Sequence, residues 1–182
     1  MVDKVVEAEL FGRRVQVPYA ARGVGYALVA MRLVMGWVLF WGGLSKLLDP
    51  SWSAAGYLQH AVSSSNPFAS WFASLAGSVL VDWLVVAGLT LTGLGLILGL
   101  ATRLCAFFAS LMMVLFWMAA LQGGLLAFFP LEHGFVINDH VVYVMLLWGL
   151  SAFGAGQVLG VDGWLRKKEF VKRHSWLNYV LG

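Results

Sequence analysis

Four long apolar stretches constrain this chain more than any other feature of its sequence. They cover residues 24–48, 79–100, 104–126 and 136–159. Each reaches the ~20 residues that a helix needs to cross the hydrocarbon core of a bilayer. Backbone polar groups inside lipid must be satisfied within their own segment, which favours helices. The sequence therefore predicts an all-α integral membrane protein, a bundle of four transmembrane helices within a membrane domain at residues 24–160.

The composition agrees with a lipid environment. Hydrophobic residues make up 60% of the 182 residues and charged residues 12%, whereas soluble domains average roughly 45–50% and about 25%. A soluble fold of this length could not bury so much apolar surface, so the lipid bilayer is the expected partner of most of it. Nucleic acid is not an expected partner, because the basic residues form no groove interleaved with aromatic residues.

The positions of the basic residues predict the orientation. All of the 12 Lys and Arg residues except Arg32 and Lys46 lie in residues 1–23, in a tight turn at residues 101–103, or in residues 161–182. Lys and Arg concentrate on the cytoplasmic side of membrane proteins. We therefore expect a multi-pass protein of the cell membrane with both termini in the cytoplasm.

Three segments outside the four stretches have patterns of their own. Residues 7–10 and 14–17 alternate polar and apolar residues around Gly12, which suggests a β-hairpin within cytoplasmic residues 1–23. Residues 51–78 mix aromatic and small polar residues, which suggests one or two helices lying at the outer interface. Residues 161–182 combine five basic residues with Trp and Phe, which predicts a basic amphipathic helix on an anionic membrane face.

Arg32 is the deepest ionisable residue of the predicted bundle, about 12 Å into its helix at about 1.5 Å per residue. It shares one helical stripe with Gly36, Gly43 and Lys46, so this stripe is expected to face the bundle interior. Two interpretations remain open. The side chain could snorkel to the cytoplasmic headgroups, or it could be a buried cation that binds an anionic group, a carbonyl group or a partner.

A second set of polar residues collects at the outer level of the bundle. Lys46 ends the first stretch, Asp82 opens the second, and Asp139 and His140 open the fourth, while His60, Glu132 and His133 lie in the adjoining loops. Their convergence at one depth could form a ligand or proton-transfer site. It could equally be a Lys46–Asp82 or Lys46–Asp139 ion pair that fixes the bundle.

The sequence predicts no haem, flavin, iron–sulfur or metal site in this chain. Its one cysteine, Cys105, excludes an internal disulfide and a cysteine-bound cluster. The histidines do not form a facing pair at membrane depth, as a b-type haem between helices requires. A metal site from Glu132, His133, Asp139 and His140 is a weaker alternative, because the four crowd into one short stretch without helical ligand spacing.

Three segments together resemble the DoxX/DoxD family of small four-helix membrane proteins. They are residues 32–47, residues 93–104 with their Gly-x-Gly-x-x-x-Gly pattern, and residues 138–162 beginning Asn-Asp-His-Val-Val-Tyr. The resemblance covers about residues 24–165 and is closer to the archaeal, DoxD-like branch. What it implies is a membrane subunit of a thiosulfate:quinone oxidoreductase, which passes electrons from a reduced sulfur compound to the membrane quinone.

The resemblance also implies where a quinone would bind. Polar side chains would serve the head group, and grooves beside small residues would hold its isoprenoid tail. The candidate catalytic residues are Asp82, Asp139, His140 and Tyr143, and the candidate ligand-binding residues are Arg32, Gly36, Gly43, Lys46 and His60. Gly93 and Gly154 would line the same tail grooves.

Two other functions compete with this hypothesis. The chain could be a non-catalytic subunit that anchors or assembles a larger respiratory complex, to which its basic tail and N-terminal hairpin are suited. A small transporter is a third interpretation, although the four stretches show no inverted repeats. Both the quinone-reducing function and the anchoring function imply a second subunit or a homo-oligomer.

Overall fold

The computed structural model of the protein describes residues 3–10, 12–121, 137–174 and 176–182. It is mostly helical, and its elements follow one another as β1 (Asp3–Leu10), β2 (Arg13–Ala20), α1 (Ala21–Leu47), α2 (Ala69–Leu75), α3 (Val79–Leu98), α4 (Thr102–Ala119), α5 (Asp139–Ala152), α6 (Val161–Leu165), α7 (Glu169–Arg173) and α8 (Leu177–Val180). Within the described residues, α1, α3 and α4 are long and apolar enough to cross a membrane.

The predicted N-terminal hairpin is present. Strands β1 and β2 pair antiparallel with Leu10 opposite Arg13 and Glu7 opposite Gln16, whose amide donates to the Glu7 carboxylate over 3.1 Å. Gly12 turns the chain with a φ of +73°, a backbone conformation that glycine adopts without steric cost. Strand β2 ends at Ala20 and α1 begins at Ala21, so the hairpin leads directly into the first helix.

The boundaries of α3 and α4 differ from the predicted ones. Helix α3 ends at Leu98 rather than Leu100, because Gly99 takes a left-handed conformation and Leu100 N–H donates to Gly95 O. Helix α4 starts at Thr102, inside the predicted turn at residues 101–103, and ends at Ala119. Residues 122–126 of the predicted third stretch lie outside the described residues, as does the loop at 129–134.

Helix α5 is shorter than the fourth predicted stretch. It begins after Asn138, whose side chain accepts N–H bonds from His140 and Val141, and it ends at Ala152 just before the left-handed Gly154. Its 14 described residues are fewer than a membrane span needs. The start of the predicted stretch, residue 136, lies outside the described residues.

Glycines bring α1 and α3 into close contact. A Cβ atom on Gly36 would lie 2.9 Å from the backbone nitrogen of Ile97, and one on Gly43 would lie 2.5 Å from that of Thr90. A Cβ on Gly93 would lie 2.6 Å from Cα of Phe40. Atoms of the opposite helix therefore occupy the space beside each glycine, which is how small residues allow close packing of membrane helices. That Gly36, Gly43 and Gly93 also line grooves for an isoprenoid tail stays a prediction.

The bundle core lies between α1, α3, α4 and α5. Its buried side chains include Met35, Leu39, Leu96, Ala109, Leu147 and Leu150. The N-terminal part of α1, the α3–α4 turn and the segment after α5 meet at one end of the bundle, here called the basic end. The C-terminal end of α1 and the first turn of α5 lie at the opposite end, called the mouth.

Residues 51–78 form a cover over the mouth. They contain a π-helical turn at Tyr57–Ala61 and helix α2, which pack Leu58, Val62 and Phe72 against Ala119 at the end of α4. Asn66 is buried, and its amide donates to the carbonyl oxygens of Met118, Ala119 and Leu121. One side chain thus satisfies carbonyls that the end of a helix leaves without partners.

The connection from α1 into the cover turns at Asp49. Its carboxylate accepts hydrogen bonds from the hydroxyl of Ser51 at 2.6 Å and from the Ser51 N–H at 3.0 Å. These bonds stabilise the ionised carboxylate and lower the pKa of Asp49.

The prediction of one amphipathic helix in residues 161–182 is wrong. The tail consists of three short helices, α6, α7 and α8, and it folds back so that Gly182 N–H donates to Asp162. The Lys168 ammonium lies 4.2 Å from the centroid of the Trp164 ring, at the break between α6 and α7. A continuous helix would carry Gly182 away from the bundle, so the return contact requires the breaks.

Candidate functional site

A cavity of about 580 Å³ lies beneath the cover at the mouth. Its lining combines aromatic walls with two basic side chains, and consists of Lys46, Trp52, Ser53, Ala54, Tyr57, Leu58, Trp71, Phe72, Leu75, Val81, Val85, Leu115, Phe116, Ala119 and His140. Binding sites for organic ligands are mostly apolar with a few polar groups that fix orientation. The cavity has that character, and its two basic groups come from helices α1 and α5.

Lys46 reaches the cavity from the last turn of α1. Its ammonium donates to Gly42 O at 2.9 Å and lies 5.5 Å from the centroid of the Trp52 ring. A lysine ammonium has three N–H donors, so donors remain for a ligand. Lys46 forms no ion pair with Asp82 or Asp139, since the salt bridge found within the described residues joins Lys172 and Glu169. The predicted Lys46–Asp82 and Lys46–Asp139 pairs are therefore wrong.

His140 enters the cavity from the first turn of α5. The Asn138 cap fixes its backbone, and the Phe116 ring packs edge-on against the imidazole with 6.1 Å between the ring centroids. Its Nδ1 is buried and has no hydrogen-bond partner among the described residues. Leaving a buried polar atom unpaired costs free energy, so this nitrogen is a natural contact point for a ligand.

Asp82 has a supporting position. Its carboxylate accepts the N–H of Ala54 at 2.8 Å, which ties the first turn of α3 to the segment that covers the cavity. It is not among the lining residues. The contact holds Trp52, Ser53 and Ala54 in the cavity wall.

Three other candidate residues lie away from the cavity lining. Asp139 is exposed on the first turn of α5, and His60 is exposed on the π-helical turn. Tyr143 is half-buried and packs against the bundle core. The structure thus brings Lys46 and His140 together and leaves Asp139, Tyr143 and His60 outside the lining.

Arg32 contributes to the basic end, not to the mouth. Its side chain is 2% exposed, and its guanidinium donates to Ala155 O at 2.6 Å, Val158 O at 3.0 Å and Leu159 O at 3.3 Å. The snorkelling alternative is wrong, and of the open alternatives the carbonyl partner is the one present. Gly99 and Gly160 border the guanidinium so closely that a Cβ on either would collide with it.

Asp162 is the residue of the basic end that the site prediction missed. It is fully buried, and its carboxylate accepts N–H bonds from Ala101 at 2.7 Å, Thr102 at 2.9 Å and Gly182 at 2.9 Å. Asp162 therefore caps α4 across 60 residues of sequence, where the helix dipole favours a negative charge. In the sequence, Asp162 is only an acidic residue after the last apolar stretch. Nothing near it indicates which N–H groups its carboxylate accepts.

Within the part of the chain that the structure describes, no three His, Cys, Asp or Glu side chains gather as metal ligands. Two members of the alternative metal set, Glu132 and His133, lie outside that part. The chemistry that the cavity residues themselves offer is hydrogen bonding from an ammonium, proton exchange at an imidazole, and stacking on aromatic rings.

The model of one protein family, described as DoxX, matches residues 27–122. This range includes most of α1 and all of the cover, α3 and α4, and thus most of the cavity lining. No curated protein and no solved structure matches the chain.

Proposed function

Because this membrane protein belongs to the DoxX family, we propose that its cavity binds the head group of a membrane quinone and that the chain is a quinone-interacting subunit. One observation carries the proposal. Lys46 and His140, which are 94 positions apart in the sequence, line the same aromatic cavity at the mouth. A quinone head group is a flat ring with two carbonyl oxygens, and it needs an aromatic slot with hydrogen-bond donors.

Each lining group would have a distinct task. The Lys46 ammonium would donate to one quinone carbonyl, and His140 Nδ1 would contact the other. The rings of Trp52, Trp71 and Phe116 would enclose the ring of the quinone. Reduction of a quinone consumes two protons along with two electrons, and histidine exchanges protons near neutral pH. Asp139, Tyr143 and Asp82 stay predictions as further catalytic residues.

The proposal extends to the source of the electrons and to the DoxD-like subtype of the family. The resemblance to DoxD-like proteins supports thiosulfate or another reduced sulfur compound as the donor. A second subunit, or further copies of this chain, would then complete the reaction. The exposed hairpin, with Val5 55% and Val6 49% exposed, offers a surface for such a partner.

We also propose the complete membrane arrangement. Helix α5 would belong to a fourth span, because Ser151 at its end lines one groove with Arg103 at the start of α4, while its start lies at the mouth. The basic end would face the cytoplasm of the cell and the cover would lie at the outer interface. Of the 12 Lys and Arg residues, eight lie outside the spans and the cover, and Arg22 and Arg103 lie in the first turns of α1 and α4 at the basic end, which supports this orientation.

Quinone binding can be measured directly. The full chain would be purified in detergent, its bound lipids extracted, and a short-tailed benzoquinone analogue titrated by fluorescence quenching of the cavity tryptophans. We expect Lys46→Met and His140→Ala each to weaken binding about tenfold, the effect of losing one hydrogen bond to a charged or buried group. Lys172→Met and His174→Ala are matched controls on the tail and should bind as the wild type does.

Equal binding by the cavity variants and their controls would remove the proposed site. The anchoring function makes a different prediction. A stable complex would co-purify with the chain and keep its activity after substitution of Lys46, His140 and Asp139, and no quinone would be retained.

A further inference from the structure

A second groove lies between α4 and α5, begins at the basic end and shares no lining residue with the cavity at the mouth. It has a volume of about 510 Å³ and is lined by Arg103, Ala106, Phe107, Ser110, Val144, Met145, Leu147, Trp148 and Ser151. From Arg103 to Ser110 the groove follows α4 for seven residues, about 10 Å at about 1.5 Å per residue. Its outer rim faces away from the bundle, since Phe107 is 63% exposed and Trp148 is 69% exposed.

The groove is amphipathic along its length. Arg103 lies at the basic end, and the other lining residues are aromatic or aliphatic apart from Ser110 and Ser151. A ligand that fills it must therefore pair an anionic group with an apolar chain. In a membrane helix pair, basic pockets of this kind suit anionic lipid head groups.

The charges around Arg103 are not neutralised within the described residues. Arg103 and Arg166 both donate to the backbone oxygen of Asn178, at 2.9 Å and 3.4 Å, so two guanidinium groups converge on one carbonyl. The two acidic residues of the tail are already engaged, Asp162 by three N–H groups and Glu169 by Lys172. Of the five N–H donors of Arg103, the hydrogen bonds found here use one.

We propose that this α4–α5 groove binds one anionic phospholipid. Its phosphate lies against Arg103 beside Arg166, and one acyl chain follows Phe107, Met145 and Trp148 toward the middle of the bilayer. The occupant is a lipid and not a soluble anion, because the apolar walls form one continuous groove with the charged end. The site is separate from the cavity at the mouth and does not depend on the quinone proposal.

Native mass spectrometry of the full chain tests the proposal. The protein would be reconstituted with equal amounts of phosphatidylglycerol and phosphatidylcholine, released into detergent, and its retained lipids counted. We expect one phosphatidylglycerol per chain, and Arg103→Gln should reduce its retention about fivefold, the effect of one basic group near a membrane surface. Arg14→Gln removes the same charge from the exposed hairpin and should change nothing.

A second variant tests the apolar part without changing the charge. Ser110→Phe fills the groove beside Phe107 and should reduce retention of phosphatidylglycerol while Arg103 is intact. Equal retention of the two lipids by the wild type, or equal retention by Arg103→Gln and Arg14→Gln, would overturn the proposal. So would displacement of the lipid by millimolar inorganic phosphate, which would indicate a soluble-anion site. Melting temperatures in detergent identify any variant that fails to fold.

Discussion

The buried carboxylate of Asp162 connects the start of α4 with the end of the tail. It fixes the start of α4 through Ala101 and Thr102 and holds Gly182 at the same point. We expect Asp162→Asn to lower the free energy of unfolding by about 3 kcal/mol, because a charged acceptor is lost from donors that stay buried. Unfolding of the detergent-solubilised protein in increasing dodecyl sulfate, followed by tryptophan fluorescence, measures this change.

Asp49→Asn is the control for that substitution. Asp49 is exposed and bonds its neighbour Ser51, so its loss should change the unfolding free energy by less than about 0.5 kcal/mol. If both variants unfold at the same dodecyl sulfate fraction, Asp162 does not hold the basic end together.

At this scale the sequence identifies the exceptional residue but not its partners. Arg32 stands out because a charge inside an apolar stretch is costly wherever it occurs. Its partners could not be predicted, because they are backbone carbonyls of residues 155–159, whose path depends on the left-handed Gly154 and Leu159. Lys46 ends one predicted helix and His140 begins another, and these positions are enough to predict that both lie at one depth. The cavity that joins them depends on how the cover folds.

At the scale of elements, α1 and α3 depend on the absence of side chains at their contact. We expect Gly93→Ala to destabilise the protein by about 1–3 kcal/mol, because the new methyl group would overlap the backbone of Phe40. Gly149→Ala on α5 meets no atom within 4 Å, and it should be neutral or stabilise the helix by up to about 1 kcal/mol. Thermal unfolding of both variants in detergent distinguishes a packing contact from a general effect of helix propensity.

Elements that follow from a pattern in their own segment are predictable from the sequence. Elements that depend on contacts with residues far away in the sequence are not. The hairpin follows from alternation around Gly12, and the long helices follow from apolar stretches. The break of the tail into three helices follows from the return of Gly182 to Asp162, which no local pattern encodes. The earlier start of α4 has the same origin, because its cap comes from Asp162.

At the scale of the whole molecule, the proposed orientation places the cover and the tail on opposite sides of the membrane. We expect Gly56→Cys in the cover to react with a membrane-impermeant maleimide applied to intact cells, because Gly56 is exposed at the mouth. Lys168→Cys in the tail should react only after the cells are opened. Both variants would carry Cys105→Ser, which removes the native thiol.

Labelling of both positions from the outside, or of neither, would contradict the proposed topology. The pair also tests the fourth span, because an odd number of crossings would move the tail to the side opposite the N-terminal hairpin. A further cysteine at Arg14 reports the side of the hairpin and completes the comparison.

The bond between Arg32 and Ala155 has a consequence for how the protein is made. The two residues are 123 positions apart, so at synthesis rates of about 5–20 residues per second the guanidinium waits about 6–25 s for its partner. Throughout that interval the guanidinium lacks the carbonyl partners of the folded protein, and a charge without partners is costly inside lipid. We therefore expect the Arg32 side chain to stay in contact with water, lipid head groups or another protein until residues 155–159 have been synthesised.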